Sequence, residues 1–228
     1  MEPDIVRKAI CDAGRDLVRK GLVSRSWGNI SVRLDEKTMA ITPSGRTYDA
    51  LQPEDIVFVD LPSRTYQGQV KPSSEYMLHV EIYASRPEIH SIIHTHQMNA
   101  STVAAARREV PPILDDMAQI IGPTVRVAPY APSGTKKIGR VTLKALKGRN
   151  AVLMANHGAV CVGRNLDEAF VVCEILEKAC KAFIEAEFLG GAKHINKFEA
   201  YRMHQYYLRK YSKQDQKNRP SNESRERK

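Results

Sequence analysis

The chain has no Cys-x-x-Cys pair, no long apolar run and no basic, hydrophobic leader, and each absence removes a class of protein. Four cysteines in 228 residues, Cys11, Cys161, Cys173 and Cys180, are too sparse and too irregularly spaced for a disulfide scaffold. They read as reduced, mostly buried thiols. No stretch approaches the roughly 20 apolar residues that a bilayer requires, so no membrane partner is expected. The opening Met1-Glu2-Pro3-Asp4 is acidic and leads into an amphipathic pattern, unlike a signal or transit peptide, and a cytoplasmic location is the expectation.

What is present is an ordinary globular composition, 42% hydrophobic and 27% charged, at a length that one well-cored domain commonly reaches. The net charge of +9 is unevenly spread, since Leu208 to Lys228 carries eight Lys or Arg against three Asp or Glu. Its polar, aperiodic residues predict one folded domain over residues 1–211 and a basic, disordered tail over 212–228. Such a tail serves solubility more often than nucleic-acid binding, so a nucleic-acid partner is not expected.

Periodicity predicts a helix from about Pro3 to Gly21, then a hairpin of Ile30–Leu34 and Thr38–Thr42, then a strand over Ile56–Asp60. A further hairpin is expected from Thr65-Tyr66 with its turn at Gln67-Gly68. A second helix starts at Pro72-Ser73-Ser74-Glu75 and ends before Pro87. Strands are expected at Ser91–His94, Val125–Ala128 and Ala151–Ala155. Helices are expected at Ser101–Ala106, Thr135–Leu146, Leu166–Leu189 and about Asn196–Tyr211. The pattern is α/β, strand-rich early and helical at its close.

Two histidines one residue apart, His94 and His96, carry the strongest chemical signal. In a strand, residues two apart face the same side, so both rings can grip one ion, and neutral imidazole is a common metal ligand. His157 follows a second apolar run and would complete a three-histidine set with a coordination position left open. Lys71-Pro72-Ser73-Ser74-Glu75 sets two hydroxyls and a carboxylate at an expected helix start, where free N–H groups favour phosphate. Gly28-Asn29 and Pro43-Ser44-Gly45 are loops of the kind that let backbone approach an anion. Ser73 as a simple cap, Gly45 as a simple turn and Glu75 as a first-turn carboxylate are the plainer alternatives.

Taken in order, Trp27-Gly28-Asn29-Ile30-Ser31, Thr42-Pro43-Ser44-Gly45, Lys71-Pro72-Ser73-Ser74-Glu75, Ile93-His94-Thr95-His96 and Asn156-His157-Gly158 resemble the class II aldolase/adducin family, over about Val6 to Phe188. Within that family the chain is most similar to the L-fuculose-1-phosphate aldolases. The resemblance implies a three-layer α/β/α fold with a central, largely antiparallel sheet flanked by helices. It implies zinc, or another divalent ion such as manganese or cobalt, on His94, His96, His157 and Glu75, with Glu75 also the proton-transfer residue. It implies substrate phosphate on Gly28, Asn29, Ser44, Gly45, Ser73 and Ser74.

The implied activity is reversible cleavage of a ketose or deoxyketose 1-phosphate, such as L-fuculose 1-phosphate, into dihydroxyacetone phosphate and an aldehyde. The implied assembly is a homotetramer with active sites between subunits. Those aldolases use a tyrosine to protonate the aldehyde oxygen, where this chain has Pro112–Gln119 and no tyrosine. Asp115, Asp116, Gln119, Tyr206, Tyr207 and Tyr211 are the alternatives. A ribulose-5-phosphate 4-epimerase or another sugar-phosphate lyase of the same fold is the nearest rival activity, although such epimerases tend to carry Asp where this chain has Glu75. A non-enzymatic, adducin-like interaction module is the alternative from a different class, and loss of the histidines would mark it.

Overall fold

The computed structural model describes residues 2–218, with side chains to Lys210. Its centre is an eight-stranded sheet in the order β4-β3-β2-β1-β5-β8-β7-β6. In chain order the strands are β1 Asn29–Arg33, β2 Thr38–Ile41, β3 Val57–Asp60, β4 Thr65–Tyr66, β5 Ser91–Thr95, β6 Val127–Ala128, β7 Ala151–Met154 and β8 Gly158–Gly163. Every neighbouring pair is antiparallel except β6 with β7, so the sheet is largely antiparallel, as expected.

The helices are α1 Pro3–Arg19, α2 Tyr76–Ser85, α3 Met98–Ala105, α4 Asp115–Ile120, α5 Lys136–Leu146, α6 Leu166–Phe188 and α7 Lys197–Asn218. Alternation along the strands sorts them into two layers. Ile30, Ile93, Leu153 and Cys161 face a core shared with α1, α3 and α6. Their neighbours Ile92, Val152, Val160 and Val162 face the other core, with Leu78 and Ile82 of α2 and Ile138 of α5. Both faces of the central strands are covered, which is why Ile92-Ile93 and Ala151–Met154 read as continuous apolar runs rather than alternating ones. The four cysteines are buried free thiols. Among the described residues no helix is long and apolar enough to cross a membrane.

Several elements differ from their expected form. β4 pairs back on β3 through a turn at residues 61–64, where the Asp60 carboxylate accepts from the Ser63 N–H at 2.8 Å, so Gln67-Gly68 is not the hairpin turn. α2 begins at Tyr76 rather than Pro72. The Ser73 N–H donates to Thr42 O and the Ser44 N–H to Lys71 O, which holds residues 71–73 extended against 42–44. Three elements were not anticipated: the 3-10 turn Pro53–Asp55, α4, too short for a periodic signal, and β8, whose terminal glycines obscure the short strand between them. The last helix runs to Asn218, through Lys and Gln residues that favour helix, beyond the expected close near Tyr211. The rest of the expected disordered tail lies outside the described residues.

Two buried histidines give the fold a pH dependence. Burial, then the neighbouring His94, presses the His79 pKa down to about 3, and burial likewise lowers that of His204. An unfolded histidine titrates near about 6.5, so these groups favour the folded state fully above that pH and less at each step below it. The melting temperature of metal-free protein is therefore expected to fall progressively from pH 7 to pH 5. A flat profile across that range, measured by circular dichroism, would contradict the burial of two neutral imidazoles.

A candidate metal centre beside a hydroxyl-lined cavity

The site forms where β5 runs between β1 and β8. Asn29 of β1 lies opposite His94 of β5, and Ala159 of β8 lies opposite Thr95. Close approach on both sides depends on glycine. Gly28 has φ +87°, and a Cβ there would collide with the His94 carbonyl oxygen; one on Gly158 would collide with the carbonyl oxygen of Thr95. His94 sits inside its strand and is fully buried, His96 lies just past the strand end, and His157 occupies the β7–β8 turn. Asn156, at φ +55°, makes that turn, and its side-chain oxygen accepts from Arg107 at 2.9 Å.

The three imidazoles converge on one point. Their ring centroids are 4.7 to 5.0 Å apart and their planes stand at 69° to 87° to one another. Glu75, at the α2 N-cap, completes the group, with carboxylate oxygens 3.1 Å from His94 Nε2 and 3.4 Å from His157 Nε2. One ligand atom from each of the four residues lies within 4.8 Å of every other. His94 Nδ1–H donates to Ala159 O at 2.8 Å, which fixes the tautomer and leaves Nε2 bare toward His96 Nε2, also 2.8 Å away. A divalent ion among these atoms would fit that arrangement, and a set of three imidazoles and a carboxylate suits zinc, cobalt or manganese.

Electrostatics prepare the donors in the same sense. Burial, then the adjacent imidazoles, lowers the His96 pKa to about 3 and depresses that of His157. Burial alone would raise the Glu75 pKa, but His94, His157 and the Ser133 hydroxyl override it and hold the carboxyl well below its usual range. A lowered pKa at His96 and His157 and an ionised Glu75 both favour the deprotonated donors that a metal ion requires.

Glu75, His96 and His157 open onto a cavity of about 490 Å³ that is also lined by Gly28, Asn29, Ser44, Gly45, Ser73 and Ser74. All six residues expected at a phosphate seat therefore meet in one place. The bridge between Pro43 and Pro72 joins two of their loops. A second groove, about 420 Å³, follows β3 and β4 past Phe58 and Tyr66 and contains no comparable group of metal-ligating side chains.

Two cavity residues, Ser26 and Ser133, escaped the sequence reading, and Trp27 was quoted there only as part of a motif, without a role. Ser133 donates to Glu75 Oε1 at 2.9 Å. A signal for it was present, because Pro132-Ser133-Gly134 repeats the triplet Pro43-Ser44-Gly45. Trp27, more than half exposed, lies with its ring centroid 5.8 Å from that of His96. Of the alternatives to the missing tyrosine, none whose side chain is described lines this cavity. Asp116 pairs with Lys178 at 2.6 Å, and the Tyr207 hydroxyl donates to Glu168 at 3.0 Å. Asp115 and Gln119 lie on α4, which packs on α6 and α7, and the Tyr211 side chain lies outside those described.

The model of the class II aldolase and adducin N-terminal domain matches residues 8–184. The chain belongs to the class II aldolase and adducin family. This family member is 34% identical to a 5-deoxy-D-ribulose 1-phosphate aldolase from Bacillus thuringiensis serovar kurstaki, over 82% of the chain and 88% of the relative. It is 35% identical to a 5-methylthioribulose-1-phosphate/5-deoxyribulose-1-phosphate aldolase from Rhodospirillum rubrum, over 86% and 92%. The solved structure of an L-fuculose 1-phosphate aldolase superposes with a TM-score of 0.85 at 34% identity, covering 89% of this chain and 96% of that one. The expected fold class thus holds, and lyase chemistry is the activity these aldolases support.

If the four side chains hold one ion, removing a ring should release it. His157→Ala is expected to fold but to retain less than about a tenth of the divalent metal kept by the parent after dialysis, as measured by elemental analysis. Parent-like metal content in that variant would remove His157 from the ligand set.

Proposed function

We propose that this protein is a metal-dependent aldolase, with zinc the expected ion, that cleaves a deoxyketose 1-phosphate into dihydroxyacetone phosphate and a short aldehyde. One observation carries the reading: three convergent imidazoles and a carboxylate stand at the wall of a cavity that hydroxyls and backbone turns also line and that is large enough for a sugar phosphate. Relatives named for 5-deoxyribulose 1-phosphate and L-fuculose 1-phosphate support that substrate class. Neither places a charged group on the sugar end remote from its phosphate.

Asn29, Ser44, Gly45, Ser73 and Ser74 would hold the phosphate, which takes no part in bond cleavage, and so convert its binding into orientation of the reacting carbons. His94, His96, His157 and Glu75 would hold the ion, which when bound acts as a Lewis acid on the ketose oxygens and offsets the negative charge that develops as the C3–C4 bond breaks. Glu75 would also carry a proton to or from C3 of the dihydroxyacetone phosphate fragment. Ser133, bonded to Oε1, limits the directions in which that carboxylate swings. In this reading the protein acts in the cytoplasm as a homotetramer with active sites between subunits. Trp27, exposed at the cavity, supports a partner surface there. A neighbouring subunit would then supply the acid for the aldehyde oxygen, which the described residues lining this cavity do not offer.

Incubation with zinc, dihydroxyacetone phosphate and a panel of aldehydes is expected to give new ketose 1-phosphates, with acetaldehyde and lactaldehyde among the accepted partners. No carbon–carbon bond formation with any aldehyde would sink the aldolase reading in favour of an epimerase or another lyase. Glu75→Gln should fold and keep part of its metal while kcat falls at least about 100-fold. Light scattering of the parent should give about four times the mass of one chain.

A further inference from the structure

Behind the cavity lies a buried polar zipper that touches neither the cavity wall nor solvent at its far end. Glu75, His79 and Tyr83 recur every four residues along α2 and its cap, and Asn29 and Ser31 recur every two along β1. A helix advances about 6 Å in four residues and a strand about 6.7 Å in two, so the two rows interdigitate. Tyr83 OH lies 2.9 Å from Ser31 Oγ, Ser31 Oγ 2.6 Å from His79 Nδ1, His79 Nε2 2.5 Å from Asn29 Oδ1, and Asn29 Nδ2 3.3 Å from Glu75 Oε2. His79 is fully enclosed, and both its ring nitrogens are engaged.

The carboxylate end fixes the order of protons. An ionised Glu75 only accepts, so Asn29 turns its NH₂ toward it and its Oδ1 toward His79. That oxygen also only accepts, so His79 carries its proton on Nε2. The imidazole is held neutral by burial, so Nδ1 is bare and accepts from Ser31, whose oxygen in turn accepts from Tyr83. Packing does not require such a chain, because an apolar layer of the same shape would serve a helix–sheet contact at little or no cost.

We propose that His79 is a positioning residue. Its Nε2–H locks the Asn29 amide with the NH₂ toward Glu75 and the cavity, and thereby sets the direction from which Glu75 meets the three histidines. The proposal rests on the metal-centre reading given above. Asn29 then serves both halves of the site, since it lines the phosphate seat and steadies the carboxylate.

The test compares His79→Gln with His79→Asn, because a glutamine amide nitrogen reaches close to the position of imidazole Nε2 and an asparagine nitrogen close to that of Nδ1. Metal-free parent and variants are titrated with Zn²⁺ against a competing chelator, and cleavage rates are measured on the same preparations. His79→Gln is expected to stay within about three-fold of the parent in zinc affinity and kcat. His79→Asn is expected to lose about ten-fold or more in both. In an Asn29→Ala background, His79→Asn should cause no further loss. Ser31→Ala leaves the ring free to turn and should weaken zinc binding in the same sense by a smaller factor, which keeps the test open if His79→Asn does not fold. Equal losses in the Gln and Asn variants, no loss in either, or an undiminished effect without Asn29 would overturn the proposal. Parent protein that binds Zn²⁺ but cleaves no ketose 1-phosphate would remove the aldolase reading while leaving the affinity comparison valid. Parent protein that takes up no Zn²⁺ would overturn both.

Discussion

The pairing of β5 with β1 on one side and β8 on the other is the constraint from which the rest of the site follows. It buries His94 completely, aligns Asn29 with it across one ladder, and brings the Ala159 carbonyl to its Nδ1 across the other. A hydrogen-bonded ladder cannot slip by one residue without turning every side chain to the opposite layer, so these relations are rigid. Of the two glycines that admit the neighbouring strands, Gly28 lies against the His94 backbone and Gly158 against the rings of His94 and His96. Donors placed this way would be organised before any ion or substrate arrives, because His94 hangs from a central strand, His96 and His157 lie one residue from strand ends, and Glu75 caps α2.

The opposite wall is of a different kind. Residues 42–44 and 71–73 are short extended segments tied by two backbone bonds, and they present hydroxyls and turns to the cavity. Among the described residues no Lys or Arg lines that cavity. A phosphate placed there would be held by neutral donors and by proximity to a cation on the histidines, so the two halves would depend on each other. The metal centre without the seat would lack orientation, and the seat without an ion would lack much of its attraction for a dianion. Glu75 is the hinge between the halves, since it leads into α2, faces His94 and His157, and accepts hydrogen bonds from both Asn29 and Ser133.

Much of this was legible in the chain because it depends on local rules. The two-residue period of a strand put His94 and His96 on one face, and turn residues marked Gly28-Asn29 and Pro43-Ser44-Gly45. The order of five motifs indicated the family. Misplaced features were those that nonlocal bonds decide. Pairing of residues 71–73 with 42–44 delayed the start of α2 to Tyr76. The β3–β4 turn is the exception, a local Asp60–Ser63 bond that the sequence reading overlooked. Ser133 lies 58 residues from Glu75, and no periodicity connects them.

The sequence by itself determined which atoms were available: three imidazoles, one carboxylate and a set of hydroxyls, on segments whose periodicity and turn chemistry constrain each of them over a few residues. Tertiary structure decided which of these atoms meet. Strand order placed His157 beside His94 across 63 positions of chain, and the packing of α2 on β1 buried His79 between Ser31 and Asn29. Local propensity acts over one or two turns of backbone, whereas convergence on a single point is set by register and layer packing, which exist only once the sheet has closed.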